Sequence, residues 1–271
     1  MSKLAAKVRV AAIQMVSAPE VPANLAAAGR LIAEAAAAGA KLVSLPEYFC
    51  ILGRHETDKV KVREKEGAGP IQDFLAGAAS RHRVWLVGGT LPLESGDANK
   101  VRNACLVFDD TGRRVARYDK IHLFGLELGE NSFDEARSIE PGSRPEVLDT
   151  PFGRVGLSVC YDVRFPELYR AAGAVDMWFV PSAFTAVTGA AHWDILLRAR
   201  AVENQCYLIA PAQGGLHPNG RRTWGHSMIV DPWGAVLGCR AEGEGVVLAE
   251  LDAARLAEVR QSLPALQHRT M

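Results

Sequence analysis

Short apolar runs alternate with helical segments along most of this chain, and that alternation limits the fold more than any other feature. Residues 8–16 and 155–159 have the length and composition of buried strands. Between such runs lie segments with apolar residues at helical spacing, for example residues 24–38, with Asn24 as the expected cap. Strands and helices that follow one another in this way predict an α/β fold.

The sheets of this fold are predicted to be mixed rather than purely parallel. Residues 101–108 and 113–119 are two strand patterns around an Asp-Asp-Thr-Gly turn, which predicts a hairpin. A helix is predicted over residues 191–205, and residues 125–141 are predicted to be a long functional loop. Because no linker, repeat or low-complexity tract interrupts the pattern, we expect residues 1–271 to form one domain.

Charge and composition exclude several classes of protein. The 31 basic residues balance the 31 acidic residues, and 48% of the 271 residues are hydrophobic. A balanced charge gives no reason to expect a nucleic-acid partner. No apolar run reaches bilayer length, and residues 1–7 lack the apolar core of a signal peptide, so we expect no membrane partner.

The five cysteines occur at positions 50, 105, 160, 206 and 239, far apart in the sequence. Their odd number and the lack of any Cys-x-x-Cys pair argue against a disulfide framework and a zinc site. We therefore predict a cytoplasmic protein with no metal.

Three predicted strands end at residues that can do chemistry. Cys160 lies on the turn between a strand and a helix, Glu47 follows the strand over residues 41–45, and Lys120 ends the second strand of the hairpin. Taken singly, these would be a buried structural cysteine, a solvated glutamate and a surface lysine. Because the carboxyl ends of strands in α/β proteins gather ligands, we expect them to lie together.

A thiol, a carboxylate and a cation in one site can attack an amide-like carbon. Cys160 would be the nucleophile and Glu47 the general base, while Lys120 and the backbone N–H of Tyr161 would stabilise the oxyanion. We expect the start of the following helix to lower the pKa of the thiol. A Cys–His pair is the alternative, but His122 and His192 have no obvious orienting acid in the sequence.

Three segments resemble the signature motifs of the nitrilase (carbon–nitrogen hydrolase) superfamily, in the same order. They are residues 46–49 (PEYF), 119–123 (DKIHL) and 156–167 (GLSVCYDVRFPE). The resemblance covers about residues 8–270. It implies a four-layer α-β-β-α sandwich with two mixed sheets, a Glu-Lys-Cys triad, no cofactor, and a homodimer or higher homo-oligomer.

The same resemblance implies further site residues. Glu135 matches a second glutamate that positions the lysine, with Glu127 and Glu130 as nearby alternatives. Arg164 and Glu167, which follow Cys160 in the sequence, match a pair that braces the cysteine turn. The alternative is a salt bridge between them that makes no contact with the substrate. The substrate-binding residues carried over are Tyr161, Arg164, Phe184 and Thr185.

Within the superfamily, the resemblance is closest to the Nit branch, on residues 182–193, 211–217 and 225–234. It implies an amidase that hydrolyses a small linear carboxamide through a thioester. Deaminated glutathione is the expected substrate, releasing 2-oxoglutarate and cysteinylglycine. The alternatives are an omega-amidase acting on 2-oxoglutaramate, then N-carbamoyl amide hydrolysis and nitrile hydrolysis. Outside catalysis, a non-catalytic scaffold of the same fold and a redox-sensing thiol protein remain open.

Overall fold

The computed structural model describes residues 4–128 and 131–270, and its strands form two large sheets and two short hairpins. In chain order the strands are β1 (Lys7–Gln14), β2 (Leu42–Ser44), β3 (Trp85–Val87), β4 (Leu91–Glu94), β5 (Val101–Phe108), β6 (Arg114–Asp119), β7 (Gly125–Leu128), β8 (Asn131–Asp134), β9 (Glu146–Thr150), β10 (Gly153–Leu157), β11 (Met177–Phe179), β12 (Tyr207–Ala210), β13 (Gly214–Leu216), β14 (Arg222–Trp224), β15 (Ser227–Val230), β16 (Val236–Arg240) and β17 (Gly245–Asp252).

Six α-helices and two short 3₁₀ segments connect these strands within the described residues. The helices are α1 (Val21–Ala37), α2 (Asp58–Lys61), α3 (Pro70–His82), α4 (Pro166–Ala171), α5 (Ala186–Asn204) and α6 (Ala253–Ser262), and the 3₁₀ segments are Glu135–Arg137 and Cys160–Arg164.

Both large sheets are mixed, as predicted. The first has the order β17-β1-β2-β3-β5-β4, with β6 also paired to β5, and its parallel pairs are β1–β2 and β2–β3. The second has the order β16-β15-β12-β11-β10-β9, with a parallel centre of β10, β11 and β12. Strand β17 pairs with β1 along all eight residues of each, which joins the two ends of the chain.

The alternation of side chains along β1 shows how the layers pack. Val8, Val10 and Ala12 belong to the buried cluster shared with the second sheet, whereas Ala11 and Ile13 belong to the cluster beneath α1 and α3. Successive residues of a strand point to opposite faces, so one sheet contributes to two cores. On the far side, α5 packs against the second sheet. The predicted four-layer α-β-β-α sandwich with two mixed sheets is confirmed.

Two predicted helix starts are wrong by a few residues. Helix α1 begins at Val21, and Asn24 lies inside it, where its buried side chain bonds the backbone of Ala18 and Cys50 instead of capping the helix. Helix α5 begins at Ala186 rather than at residue 191, because the Thr185 side chain accepts a hydrogen bond from the Thr188 N–H.

The long connection over residues 125–141 is more ordered than predicted. It contains the hairpin of β7 and β8 followed by the 3₁₀ segment Glu135–Arg137. Asp134 caps that segment by accepting a hydrogen bond from the Ala136 N–H. The connection therefore carries Glu135 on a defined turn.

Candidate active site

Residues at the ends of strands from both large sheets meet in one place. Lys120 directly follows β6, and Glu47 lies three residues beyond β2, both in the first sheet. Cys160 lies three residues beyond β10, in the second sheet. The expectation that these three strand ends lie together is met in the structure: Lys120 Nζ lies 2.9 Å from Glu47 Oε1, and Cys160 and Glu47 line the same cavity.

Lys120 is fully buried between two carboxylates. Its Nζ donates to Glu47 Oε1 at 2.9 Å and to the two carboxylate oxygens of Glu135 at 3.0 and 2.7 Å. Burial would lower the pKa of Lys120, but the negative charges of Glu135 and Glu47 outweigh it and hold that pKa well above its usual value. Lys120 is therefore a fixed cation rather than a surface residue.

Among the described candidates for the second glutamate, Glu135 is the one that contacts Lys120. Its carboxylate also accepts hydrogen bonds from the Tyr48 hydroxyl at 2.7 Å and from the Phe124 N–H at 2.7 Å. Burial opposes ionisation, yet Lys120 and these donors lower the pKa of Glu135 below its ordinary value. Of the two alternatives, Glu127 is exposed, and Glu130 lies outside the described residues.

Glu47 differs from Glu135 although both are buried and share the same cation. Its side chain is 1% exposed, and besides Lys120 it accepts a hydrogen bond from Asn103 Nδ2 at 3.0 Å. Burial raises the pKa of Glu47 above its ordinary value, because the charge of Lys120 only partly offsets desolvation and Glu135 adds repulsion. A carboxylate with a raised pKa is a stronger base, which suits proton transfer from a thiol.

Cys160 is held in an unusual backbone conformation at the first residue of its 3₁₀ segment. Its φ angle is 50°, in the left-handed region, and its N–H donates to the Pro181 carbonyl at 2.9 Å. The expected lowering of the thiol pKa is wrong. Burial and the charge of Glu47 raise the pKa of Cys160 well above its usual value, although Lys120 and the Ala183 N–H favour the thiolate. At rest this group is a thiol that needs a base.

Asp162 holds the turn that carries Cys160. Its fully buried carboxylate accepts hydrogen bonds from the Val159 N–H at 2.8 Å, the Tyr118 hydroxyl at 2.7 Å and the His122 N–H at 3.0 Å. Val159 directly precedes the cysteine turn, whereas Tyr118 lies on β6 and His122 follows it. The carboxylate therefore connects the turn to the end of β6.

Two expectations about this turn therefore need correction. Arg164 and Glu167 were expected to brace it, but Glu167 is exposed on α4 and Arg164 lies over the rings of Tyr161 and Phe184, at 5.6 and 5.4 Å from their centroids. His122 does have an acid beside it, because its Nδ1 lies 2.7 Å from Asp162 Oδ1.

A cavity, partly open to solvent, lies over these groups. Cys160, Glu47 and Glu135 reach it, while Lys120 is buried behind them. All four residues expected to bind substrate line this cavity. They are Tyr161, Arg164, Phe184 and Thr185.

Other residues of the site were not identified from the sequence. Tyr48 and Asn103 hold Glu135 and Glu47, and Glu56 and Arg221 line the cavity wall. Tyr48 directly follows Glu47 in the sequence, whereas Asn103 and Arg221 reach the site from distant elements. The described residues hold no group of three or more His, Cys, Asp or Glu side chains arranged for a metal ion. In the same part of the chain, no helix combines the length and apolarity needed to cross a bilayer.

Comparisons with known proteins agree with this geometry. The model of the carbon-nitrogen hydrolase family matches residues 9–261. A protein from Synechocystis sp. (strain PCC 6803 / GT-S) named deaminated glutathione amidase is 44% identical over 265 residues, which cover 96% of this chain and 97% of that protein.

Two solved structures are similar along nearly the whole chain. Nit3 of Saccharomyces cerevisiae, a member of branch 10 of the nitrilase superfamily, has a TM-score of 0.89 at 32% identity, covering 100% of this chain and 99% of that chain. The amidase from Nesterenkonia sp. AN1, a double mutant in complex with acrylamide, has a TM-score of 0.82 at 28% identity, covering 98% and 95%.

Proposed function

This chain belongs to the carbon-nitrogen hydrolase family, and from that premise we propose that it hydrolyses deaminated glutathione to 2-oxoglutarate and cysteinylglycine. The chain is a hydrolase of carbon–nitrogen bonds in amides. The proposal of this particular amide is supported by the 44% identical relative that carries its name. The single observation that supports the chemistry best is that Cys160 and Glu47 line one cavity, with the buried Lys120 bonded to Glu47.

In the first step, Cys160 Sγ attacks the amide carbon while Glu47 takes the thiol proton. The raised pKa of the thiol favours this coupled transfer over a preformed thiolate, and the raised pKa of Glu47 makes its carboxylate a competent acceptor. The left-handed conformation of Cys160 supports the same role, since it places the thiol at the cavity.

The tetrahedral intermediate carries a negative charge on the former carbonyl oxygen. We assign its stabilisation to the Lys120 cation and to the Tyr161 N–H, which lies in the first turn of the 3₁₀ segment Cys160–Arg164, where backbone donors lack partners within the helix. Glu135 positions Lys120 through two contacts and keeps it charged.

Collapse of the intermediate breaks the C–N bond. Glu47 returns its proton to the leaving amine, and Cys160 keeps the acyl group as a thioester. Water then attacks the thioester, with Glu47 again taking a proton, and the carboxylic acid and free thiol are released. The net reaction consumes one water and needs no cofactor.

The proposal is tested by measuring 2-oxoglutarate release from deaminated glutathione and from 2-oxoglutaramate, side by side. We expect wild type to prefer deaminated glutathione and Cys160→Ala to lose at least about 10⁴-fold in kcat. Cys239→Ala, which removes an exposed thiol, is the matched control and should retain activity. A preference for 2-oxoglutaramate would instead make the chain an omega-amidase, and wild type inactive on both amides would contradict the substrate proposal.

The remaining expectations about the chain also stay proposals. We propose that residues 1–271 form one domain, supported by the β1–β17 pairing and the match over residues 9–261. We propose a homo-oligomer, supported by three exposed apolar side chains on α5, those of Val187, Ile195 and Val202. Light scattering in solution tests this proposal. Five free cysteines support a cytoplasmic location.

A further inference from the structure

Two arginines line the cavity outside the buried group of Glu47, Lys120 and Glu135, which we call the charged floor. Arg164 belongs to the segment of Cys160, and Arg221 lies on the connection between β13 and β14. We call the part of the cavity lined by these arginines the mouth.

Two carboxylates, Glu56 and Asp134, also line the cavity outside the charged floor, and each pairs with a further cation, Lys59 or Arg137. Arg221 pairs with Glu56 at 3.4 Å, but Glu56 makes its shorter contact, 2.8 Å, to Lys59. One carboxylate thus serves two cations. Among the described residues Arg164 has no carboxylate partner, and its guanidinium lies 3.2 Å from His192 Nδ1. A cation left partly unpaired beside a cavity favours an anionic ligand.

Arg221 is held in place by its backbone. The turn that carries it is closed by a hydrogen bond from the His217 N–H to the Arg221 carbonyl at 2.9 Å. Asn219 fastens the same turn to another loop by donating to the carbonyls of Leu52 and Gly53 at 2.9 and 2.8 Å. The guanidinium therefore projects from an ordered base, which reduces the entropy lost when a ligand binds.

An aromatic wall separates the two arginines. The rings of Phe133, Phe124 and Tyr161 follow one another with centroid separations of 5.8 and 5.3 Å. Arg221 lies over the Phe133 ring at 5.4 Å and Arg164 over the Tyr161 ring at 5.6 Å. The cations are thus at opposite ends of one wall of a cavity that also contains Cys160.

The position of each arginine indicates which part of an amide it faces. The acyl group stays on Cys160 after cleavage, and Arg164 lies on the same short segment as Cys160. The leaving amine receives its proton from Glu47 in the proposed mechanism, and Arg221 pairs with Glu56 on the connection that follows Glu47. If Arg164 faces the acyl group, then Arg221, at the opposite end of the aromatic wall, faces the leaving amine.

We propose that Arg221 binds a carboxylate on the amine portion of the substrate, so that the site selects amides with a carboxylate on both sides of the scissile bond. This inference rests on the proposed function. It identifies the cysteinylglycine carboxylate as the group that distinguishes deaminated glutathione from 2-oxoglutaramate, which has no carboxylate on its leaving ammonia. A guanidinium suits this role because it can donate two parallel hydrogen bonds to a carboxylate.

Binding to the Cys160→Ala protein tests the subsite without turnover. Titration calorimetry compares deaminated glutathione with its glycinamide form, in which the terminal carboxylate is an amide. With Arg221 present, we expect the acid to bind about 10- to 100-fold more tightly than the amide. In Cys160→Ala/Arg221→Gln this ratio should fall to about 1, and Arg221→Lys should restore part of it.

The neighbouring residue Arg222 provides the matched control. Its side chain is 59% exposed and pairs with Glu242 at 2.6 Å, so Arg222→Gln should leave the acid-to-amide ratio intact. An unchanged ratio in Arg221→Gln, or equal binding of acid and amide to the starting protein, would overturn the inference. A failure of the proposed function would give a different result. Wild type would then not turn over deaminated glutathione, whatever the ratio of acid to amide binding.

Discussion

The charged floor and the mouth of the cavity solve opposite electrostatic problems. In the floor, one buried lysine lies between two buried carboxylates, so negative charge exceeds positive charge. At the mouth, Arg221 shares Glu56 with Lys59, Arg164 has no carboxylate partner among the described residues, and both arginines lie against aromatic rings. A buried cluster with excess negative charge disfavours an anionic ligand, whereas partly unpaired cations favour one. We infer that the floor performs chemistry common to any amide and that the mouth selects the amide.

The largest effect is expected when the floor loses its cation. Lys120→Met leaves Glu47 and Glu135 buried side by side without a counter-charge, so the free energy of unfolding should fall by about 3–5 kcal/mol at neutral pH. Urea denaturation measures this loss. Activity should be lost on all amides.

Two variants serve as controls for that experiment. Adding Glu135→Gln to Lys120→Met removes one of the two unpaired carboxylates and should recover part of the stability. Lys7→Met removes a cation from an exposed pair with Glu250 and should cause no resolvable change. If Lys120→Met were as stable as Lys7→Met, the buried cluster would not be the electrostatic unit described here.

A smaller effect is expected in the pH dependence of catalysis. Glu47 must be ionised to accept the thiol proton, and its pKa is raised above the ordinary value of 4.5. Activity should therefore fall as the pH drops through this raised pKa, so that the acid limb of kcat/KM lies above 4.5. Because the floor serves every amide, deaminated glutathione and 2-oxoglutaramate should share that limb. Different limbs for the two substrates would mean that the mouth, rather than Glu47, sets the pH dependence.

Much of the fold and of the floor could be predicted from the sequence. Apolar runs that end at a proline, a turn or a helix start identified the strand ends that carry Glu47, Lys120 and Cys160, because local patterns report directly on local structure. The layer arrangement and Glu135 came from resemblance to the superfamily. Glu135 lies on a defined turn, whereas the sequence pattern predicted only a loop at this position.

What the sequence did not predict depends on contacts between distant segments. Asp162 could be seen beside Cys160, but its role depends on the Tyr118 hydroxyl, 44 residues away. The start of α5 was missed because Gly189 weakens the helical pattern. A Cβ at that position would lie 2.2 Å from Trp224 Cβ, so the glycine permits close packing rather than ending a helix.

The most direct test of the division between floor and mouth is to trap the acyl-enzyme. Wild type is mixed with deaminated glutathione or with 2-oxoglutaramate, quenched in acid within one turnover, and analysed by peptide mass spectrometry. Both amides donate the same acyl group, so we predict the same 2-oxoglutaryl adduct on Cys160 from each. The adduct should disappear at the same rate with both amides, but it should form at different rates. An adduct on another residue, no adduct from either amide, or rates of disappearance that depend on the leaving amine would contradict the account.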